Sequence, residues 1–247
     1  MPMLRSARRL SFLGSTLRTI TLACLTLGTS TALADISADL GLSTEFVRDG
    51  ISQNGGNITW QAGFAGTHSS GLYAGAWGSG IDHRTRDTLH SEWDLYAGAN
   101  LPVTGKWSLD ASLSRFTFHG DADRRGDAYN ETALRLLWSN HVTLGYRVGN
   151  GYFGSDYNLH TLETAYTFQS GSFSIEVYGA NHRLDGSDET TNFGSASADD
   201  YWHFRVGVAR SWNQWDYRLT LDKTNLGGEF DAGTMLHFSA HRYFRLW

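Results

Sequence analysis

Residues 131–148 read Glu131-Thr132-Ala133-Leu134-Arg135-Leu136-Leu137-Trp138-Ser139-Asn140-His141-Val142-Thr143-Leu144-Gly145-Tyr146-Arg147-Val148. Thr132, Leu134, Leu136 and Trp138 alternate with Glu131, Ala133 and Arg135. After Ser139-Asn140, Val142, Leu144, Tyr146 and Val148 alternate with Thr143, Gly145 and Arg147. Successive side chains of a strand point to opposite faces. Each segment therefore has one apolar face and one charged face, and a short polar turn joins the two as an antiparallel hairpin.

The same period of two recurs along the chain. Ile36, Ala38, Leu40, Leu42 and Phe46 oppose Ser37, Asp39, Gly41, Ser43 and Glu45. Ile58, Trp60, Ala62 and Phe64 oppose Thr59, Gln61, Gly63 and Ala65. Leu72 to Ile81 is a further strand, too rich in Gly and Ala to phase. Trp93 to Leu101 sets its odd positions against Glu92, Asp94 and Tyr96, and Trp107 to Leu113 sets its own against Ser108, Asp110 and Ser112. Later segments put Glu163, Glu176, Arg205, Arg218, His237 and His241 opposite apolar rows. The sum is twelve strands of about ten residues, the length a tilted strand needs to cross a bilayer.

The connections alternate too. Ser69-Ser70-Gly71, Pro102 to Gly105, Ser139-Asn140, Gln169-Ser170-Gly171 and Ser211 to Gln214 are short. Asp82 to Ser91, His119 to Ala128 and Arg183 to Asp200 are longer and polar. Short periplasmic turns and long outer loops are the wiring of bacterial outer-membrane barrels, and an even strand count puts both termini in the periplasm. Trp60, Trp93, Trp107, Trp138, Trp202 and Trp215 fall at strand ends, where interface girdles sit. A soluble sandwich or lipocalin-like barrel also alternates and would keep the charged face wet. The turn–loop asymmetry, these aromatics and the leader at residues 1–34 decide for the membrane barrel.

Residues 1–34 have the marks of a secretory signal peptide: Arg5, Arg8, Arg9 and Arg18, a short apolar run from Ile20 to Leu27, and Ala32-Leu33-Ala34 before Asp35. Two features there imitate other signals: Arg8-Arg9 resembles a twin-arginine motif and Cys24 a lipidation site. Residues 35–247 are then the barrel. With the leader removed, 16 basic residues face 25 acidic ones, a net charge of −9. That argues against a nucleic-acid partner, which needs a basic face. The only cysteine leaves with the leader, so the remainder has neither a disulfide nor a thiolate metal site. No apolar run after the leader is long enough for a spanning helix.

Two stretches carry a family resemblance. Phe46-Val47-Arg48-Asp49-Gly50-Ile51-Ser52-Gln53 resembles an opening Tyr-x-x-Arg-Gly-x-Ser-Gln motif, with Asp49 inserted between the Arg and the Gly. Gly71-Leu72-Tyr73-Ala74-Gly75-Ala76-Trp77-Gly78-Ser79 resembles Gly-x-Tyr-x-Gly-x-Trp-x-Ser. Trp93 to Gly98, Tyr129-Asn130-Glu131 and Tyr152-Phe153-Gly154 extend the likeness. Both motifs are similar to those of the TorF porin family, also called Gcw-chp. The resemblance implies an all-β, up-and-down outer-membrane barrel that acts as a pore.

Other motifs lack their context. Gly149-Asn150-Gly151-Tyr152-Phe153-Gly154 spells a dinucleotide fingerprint, but a strand follows it where a helix is required. Arg125-Gly126-Asp127 is an adhesion tripeptide short enough to arise by chance. Asp121, Asp123 and Asp127 could hold calcium, but Arg124 and Arg125 would repel it. His68-Ser69-Ser70-Gly71 and Arg210-Ser211-Trp212-Asn213 resemble pieces of an outer-membrane lipid hydrolase, but they are distant in sequence and fall in the short turns. No catalytic residue, cofactor or metal is expected.

The candidate functional surface is the inner face. Asp39, Glu45, Glu92, Asp94, Asp110, Glu131, Glu163, Glu176 and Asp216 are expected to line the lumen, with Arg135, Arg147, Arg205 and Arg218. The acidic surplus points to a narrow passive pore for small hydrophilic solutes with weak cation preference. The alternative is that these charges pair and plug the interior. Expected partners are outer-membrane lipid, lipopolysaccharide, the barrel assembly machinery and small solutes. The assembly machinery would read the terminal aromatic strand with Phe244 and Trp247.

Overall fold

A computed structural model of the chain describes residues 35–82, 89–121, 127–139, 141–185 and 199–246. The signal peptide, most of the Arg125-Gly126-Asp127 loop and Trp247 lie outside the described residues. The alternating segments form β1 (Asp35–Ser43), β4 (Thr59–Thr67), β5 (Leu72–Gly80), β6 (Leu89–Thr104), β7 (Trp107–Gly120), β8 (Tyr129–Trp138), β9 (Val142–Asn150), β10 (Asn158–Ser170), β11 (Phe173–Asp185), β12 (Asp200–Trp212), β13 (Trp215–Thr224) and β14 (Thr234–Arg245). Each pairs antiparallel with its neighbours, and β1 closes the ring against β14. In that seam Leu40 faces Arg242 on β14 and Ala62 on β4. This is the twelve-stranded closed barrel that the alternation predicts.

All five short turns lie at the end that carries Asp35 and Arg245, because Asp35 pairs with Thr67 and Ser37 with Arg245. At the β12–β13 turn both Asn213 and Gln214 have positive φ, 49° and 68°. Two left-handed residues in a row twist the chain with the same hand as the strands, as a two-residue hairpin requires. Pro102 and Ser211, read from sequence as turn residues, belong to strands. Pro102 sits beside a register shift near the end of β6, where a missing N–H is tolerated.

The barrel is apolar outside and polar inside. Leu134, Leu144, Leu162 and Leu219 are each about half exposed or more on the outer wall, while Thr143, Arg147 and Glu163 behind them are buried. A soluble protein would invert this, so the wall is built to face hydrocarbon. Trp60, Trp93 and Trp202 stand outward near the long-loop end, and Trp138 and Trp212 near the short-turn end. In the Gly-rich β5 the phase is now fixed: Leu72 points out, and Tyr73 and Trp77 point in.

One expectation is corrected. The sequence reading carries the first strand through Glu45 and Phe46, with Phe46 on the lipid side. The chain leaves the sheet at Ser43, and Phe46 is 2 % exposed inside the barrel. The reason is the segment that follows. β2 (Val47–Arg48) and β3 (Ile51–Ser52) form a small hairpin of their own, separate from the wall and folded into the barrel. Phe46 packs edge-on to Trp77, in an apolar cluster with Ile81, Leu89, Phe118 and Tyr129. A buried aromatic seat of this size outweighs one more residue pair in the wall.

Candidate functional site: the charged interior and its hairpin

Barrel strands bring most of the expected lumen residues to the inner face. Arg147 of β9 is the hub. Its Nη2 donates to Asp49 at 2.7 Å, its Nη1 to Glu131 at 2.6 Å and its Nε to Glu163 at 3.0 Å. Arg135 of β8 donates from Nε to the other oxygen of Glu163 at 2.7 Å and lies 3.9 Å from Asp110. Tyr73 donates its hydroxyl to Asp110, and Tyr178 to Glu163. One chain of contacts thus joins β5, β7, β8, β9, β10 and β11. A second cluster has Arg205 and Arg218 sharing Glu176 at 2.9 and 3.6 Å, with Arg205 over the Tyr178 ring at 4.5 Å. Glu45 stands off the wall, beside a gap hardly larger than one water that Gln61, Arg205, Arg218 and His237 also line.

Several interior groups were missing from the expected set. Asp222 sits between His203 and His237, 2.6 Å from one Nε2 and 2.8 Å from the other. Asp39 meets His241 at 3.2 Å, and His182 meets Thr161 at 2.9 Å. The alternation signals all of these: His203, His237 and His241 share parity with inward residues, and Asp222 continues the row Asp216, Arg218, Thr220. A histidine in a strand carries no fixed charge to mark it, and Asp222 lies one residue past the alternating segment Trp215 to Leu221. Among the described residues, no group of three His, Cys, Asp or Glu side chains is placed to hold a metal.

Arg48 and Asp49 carry no such signal, because they arrive on the infolded hairpin. Arg48 forms an ion pair with Glu92 of β6, also faces Asp94, and lies over the Phe116 ring at 4.7 Å. Its Nη1 donates to the Tyr129 hydroxyl at 3.4 Å. Burial alone would raise the Asp49 carboxyl; the Arg147 guanidinium against it reverses this and holds it below the usual carboxylate range. On the far side, Tyr201 of β12 donates to the Asp49 carbonyl at 2.9 Å. Asp231 accepts from the Ser52 N–H, and Ile51 bridges to Ala232.

Gly50 makes this seating possible. Its φ is +78°, and an added Cβ would meet Thr224 and His203. A left-handed non-glycine residue costs about 1–2 kcal/mol before any clash. Gly50→Ala should therefore loosen the hairpin. Arg48 is 4 % exposed, so trypsin should leave the refolded wild-type barrel uncut there and cleave the variant. Equal resistance in both would count against the seating.

The exposed turn between β4 and β5 contains a serine–histidine contact, His68 Nδ1 to Ser70 Oγ at 2.8 Å. The Ser70 N–H points at the same nitrogen at 3.2 Å, which is the geometry of a local turn.

Among solved structures, the KdgM porin superposes with a TM-score of 0.52 at 10 % identity, covering 84 % of this chain and 99 % of that one. The NanC porin gives 0.56 at 8 %, covering 85 % and 100 %. Identities this low show a shared fold alone. No curated protein sequence matches. The family model described as "Bacterial protein of unknown function (Gcw_chp)" matches residues 28–232, and the chain belongs to that family.

Proposed function

We propose that the chain is an outer-membrane barrel serving as a small passive pore for small hydrophilic solutes, with weak cation preference and no enzymatic role. The observation that carries the reading is a closed wall, apolar outside and lined inside by acidic and basic side chains. A soluble β-domain would fill that interior with apolar groups. Support also comes from the fold shared with KdgM and NanC and from the family resemblance in the first two motifs.

The preference should be weak. Interior carboxylates outnumber arginines, but Arg147, Arg135, Arg205, Arg218 and Arg48 each lie against at least one of them. Screening over ~8 Å at physiological ionic strength trims what is left. The reversal potential of the purified barrel in a planar bilayer under a potassium chloride gradient tests this. A small shift to the cation side is expected, and an anion preference would overturn it. Complete silence would favour the second reading, a plugged structural barrel. The hairpin and the paired interior are the observations behind that second reading.

Orientation is checked in intact cells. A cysteine replacing Asp121 in a long loop should react with a membrane-impermeant maleimide, and one replacing Ser170 at a short turn should not. The reverse pattern would invert the barrel in the membrane.

A further inference from the structure

We propose that the hairpin of residues 46–54 is the constriction of this pore and that Arg48 and Asp49 set its ion preference, an inference that rests on the pore reading above. The hairpin reaches opposite walls. Arg48 pairs with Glu92 on β6, and Asp49 accepts from Tyr201 on β12. In the ring, five strands separate β6 from β12 in either direction. A segment held at both points crosses the lumen instead of lying along one side. Barrels of this strand number have an interior between filled eight-stranded barrels and open sixteen-stranded ones, so one crossing hairpin takes a large share of the free section.

The hairpin is fastened in three ways. Phe46 fills the aromatic seat on β5, β7 and β8, formed by Trp77, Phe118 and Tyr129. The two ion pairs hold Arg48 and Asp49. Backbone contacts tie Ser52 to Asp231, and Gln53 to Asp82 at 2.9 Å. Phe46 N–H donates to Asn54 at 2.9 Å, which closes the hairpin's base. Asp49, the residue that departs from the family motif, is the one that reaches Arg147.

The charges act in opposite senses. Arg48 is the cation facing Glu92 and Asp94, so Arg48→Gln leaves those carboxylates to attract cations. Asp49→Asn weakens the anionic shell of Arg147 and moves the preference toward anions. General loosening of the hairpin would move both variants the same way.

The test uses the full mature barrel refolded in detergent, with heat-modified gel mobility as the check on folding. Three variants are compared with wild type in planar bilayers: Arg48→Gln, Asp49→Asn, and residues 46–54 replaced by a Gly-Ser linker. A fourth, Ile51→Cys with Ala232→Cys, reports seating without reference to current. These residues are antiparallel partners with no ladder hydrogen bond between them, the closer kind of pair, and residues 35–247 contain no competing cysteine. The disulfide should form in the folded barrel. The linker variant should raise unitary conductance at least about twofold as the lumen clears. Arg48→Gln should shift reversal toward cations and Asp49→Asn toward anions. A silent wild type that the linker variant opens would make the hairpin a plug and overturn the proposal together with the pore reading. Unchanged conductance in the linker variant, same-sense shifts, or no disulfide in folded barrel would overturn it and leave the pore reading standing. Silence of every variant, the linker variant included, would overturn both.

Discussion

Replacing Arg147 by methionine should cost the folded barrel about 3–5 kcal/mol, the usual penalty for breaking a buried ion pair by removing one partner. Arg147 is 3 % exposed and serves three carboxylates at once, Asp49, Glu131 and Glu163. Methionine keeps most of the volume, so the loss is electrostatic and not a cavity effect. Arg147→Lys should fall between wild type and methionine. A point charge cannot present Nε, Nη1 and Nη2 to three partners in fixed directions. The control is Arg210→Met. Arg210 is exposed on the outer wall, over the Phe173 ring, and its removal should stay within about 0.5 kcal/mol. Urea midpoints of the refolded barrels provide the comparison. The Arg147→Met deficit should also shrink as pH falls, because a protonated carboxyl no longer needs the cation. Arg147→Met matching Arg210→Met at neutral pH would show that the interior pairs hold nothing together.

The wall was legible in the sequence because a strand that faces lipid on one side and water on the other must alternate, and a slip of one residue reverses both faces. Leu134 against Arg135 fixes β8, and Tyr146 against Arg147 fixes β9. Strand β5 was not legible, since Gly75, Ala76 and Gly78 give both faces the same character. The turns are legible but read too long at Pro102 and Ser211, because turn-type residues can also sit in the last two pairs of a strand. The hairpin was missed for a different reason. Glu45 and Phe46 continue the parity of β1, and nothing local says that the chain turns inward there. The seat that draws Phe46 in is Trp77 with Phe118 and Tyr129, which lie 31 to 83 residues away. Parity assigns a face and says nothing about which residues meet across the lumen. On parity alone Asp94→Arg should be tolerated better than Leu95→Arg. With Arg48 facing Asp94, an arginine there would meet another cation.

Arginine at Val206 should destabilise the barrel by about 2–4 kcal/mol, the cost of that charge at the bilayer midplane on a lipid-facing strand. Val206 lies on the outer face of β12, midway between Trp202 near the long-loop end and Arg210 near the short-turn end. Its cross-strand neighbours are Val177 and Leu221, so the guanidinium would find no partner within one residue pair. Leu219→Arg repeats the test on β13. Leu219 pairs with Val208 and Phe238 and is 49 % exposed in the protein alone. Trp202→Arg is the depth control. At the interface the same charge should cost only about 0–1 kcal/mol. Guanidinium unfolding of barrels folded into lipid vesicles measures all three. The result also separates a membrane wall from a soluble one. In water Val206 and Leu219 would be surface residues, and arginine there would be neutral or would improve solubility. In lipid the two central variants must lose stability and Trp202→Arg must not. Equal stability of Val206→Arg, Leu219→Arg and Trp202→Arg would mean that this apolar face does not meet hydrocarbon.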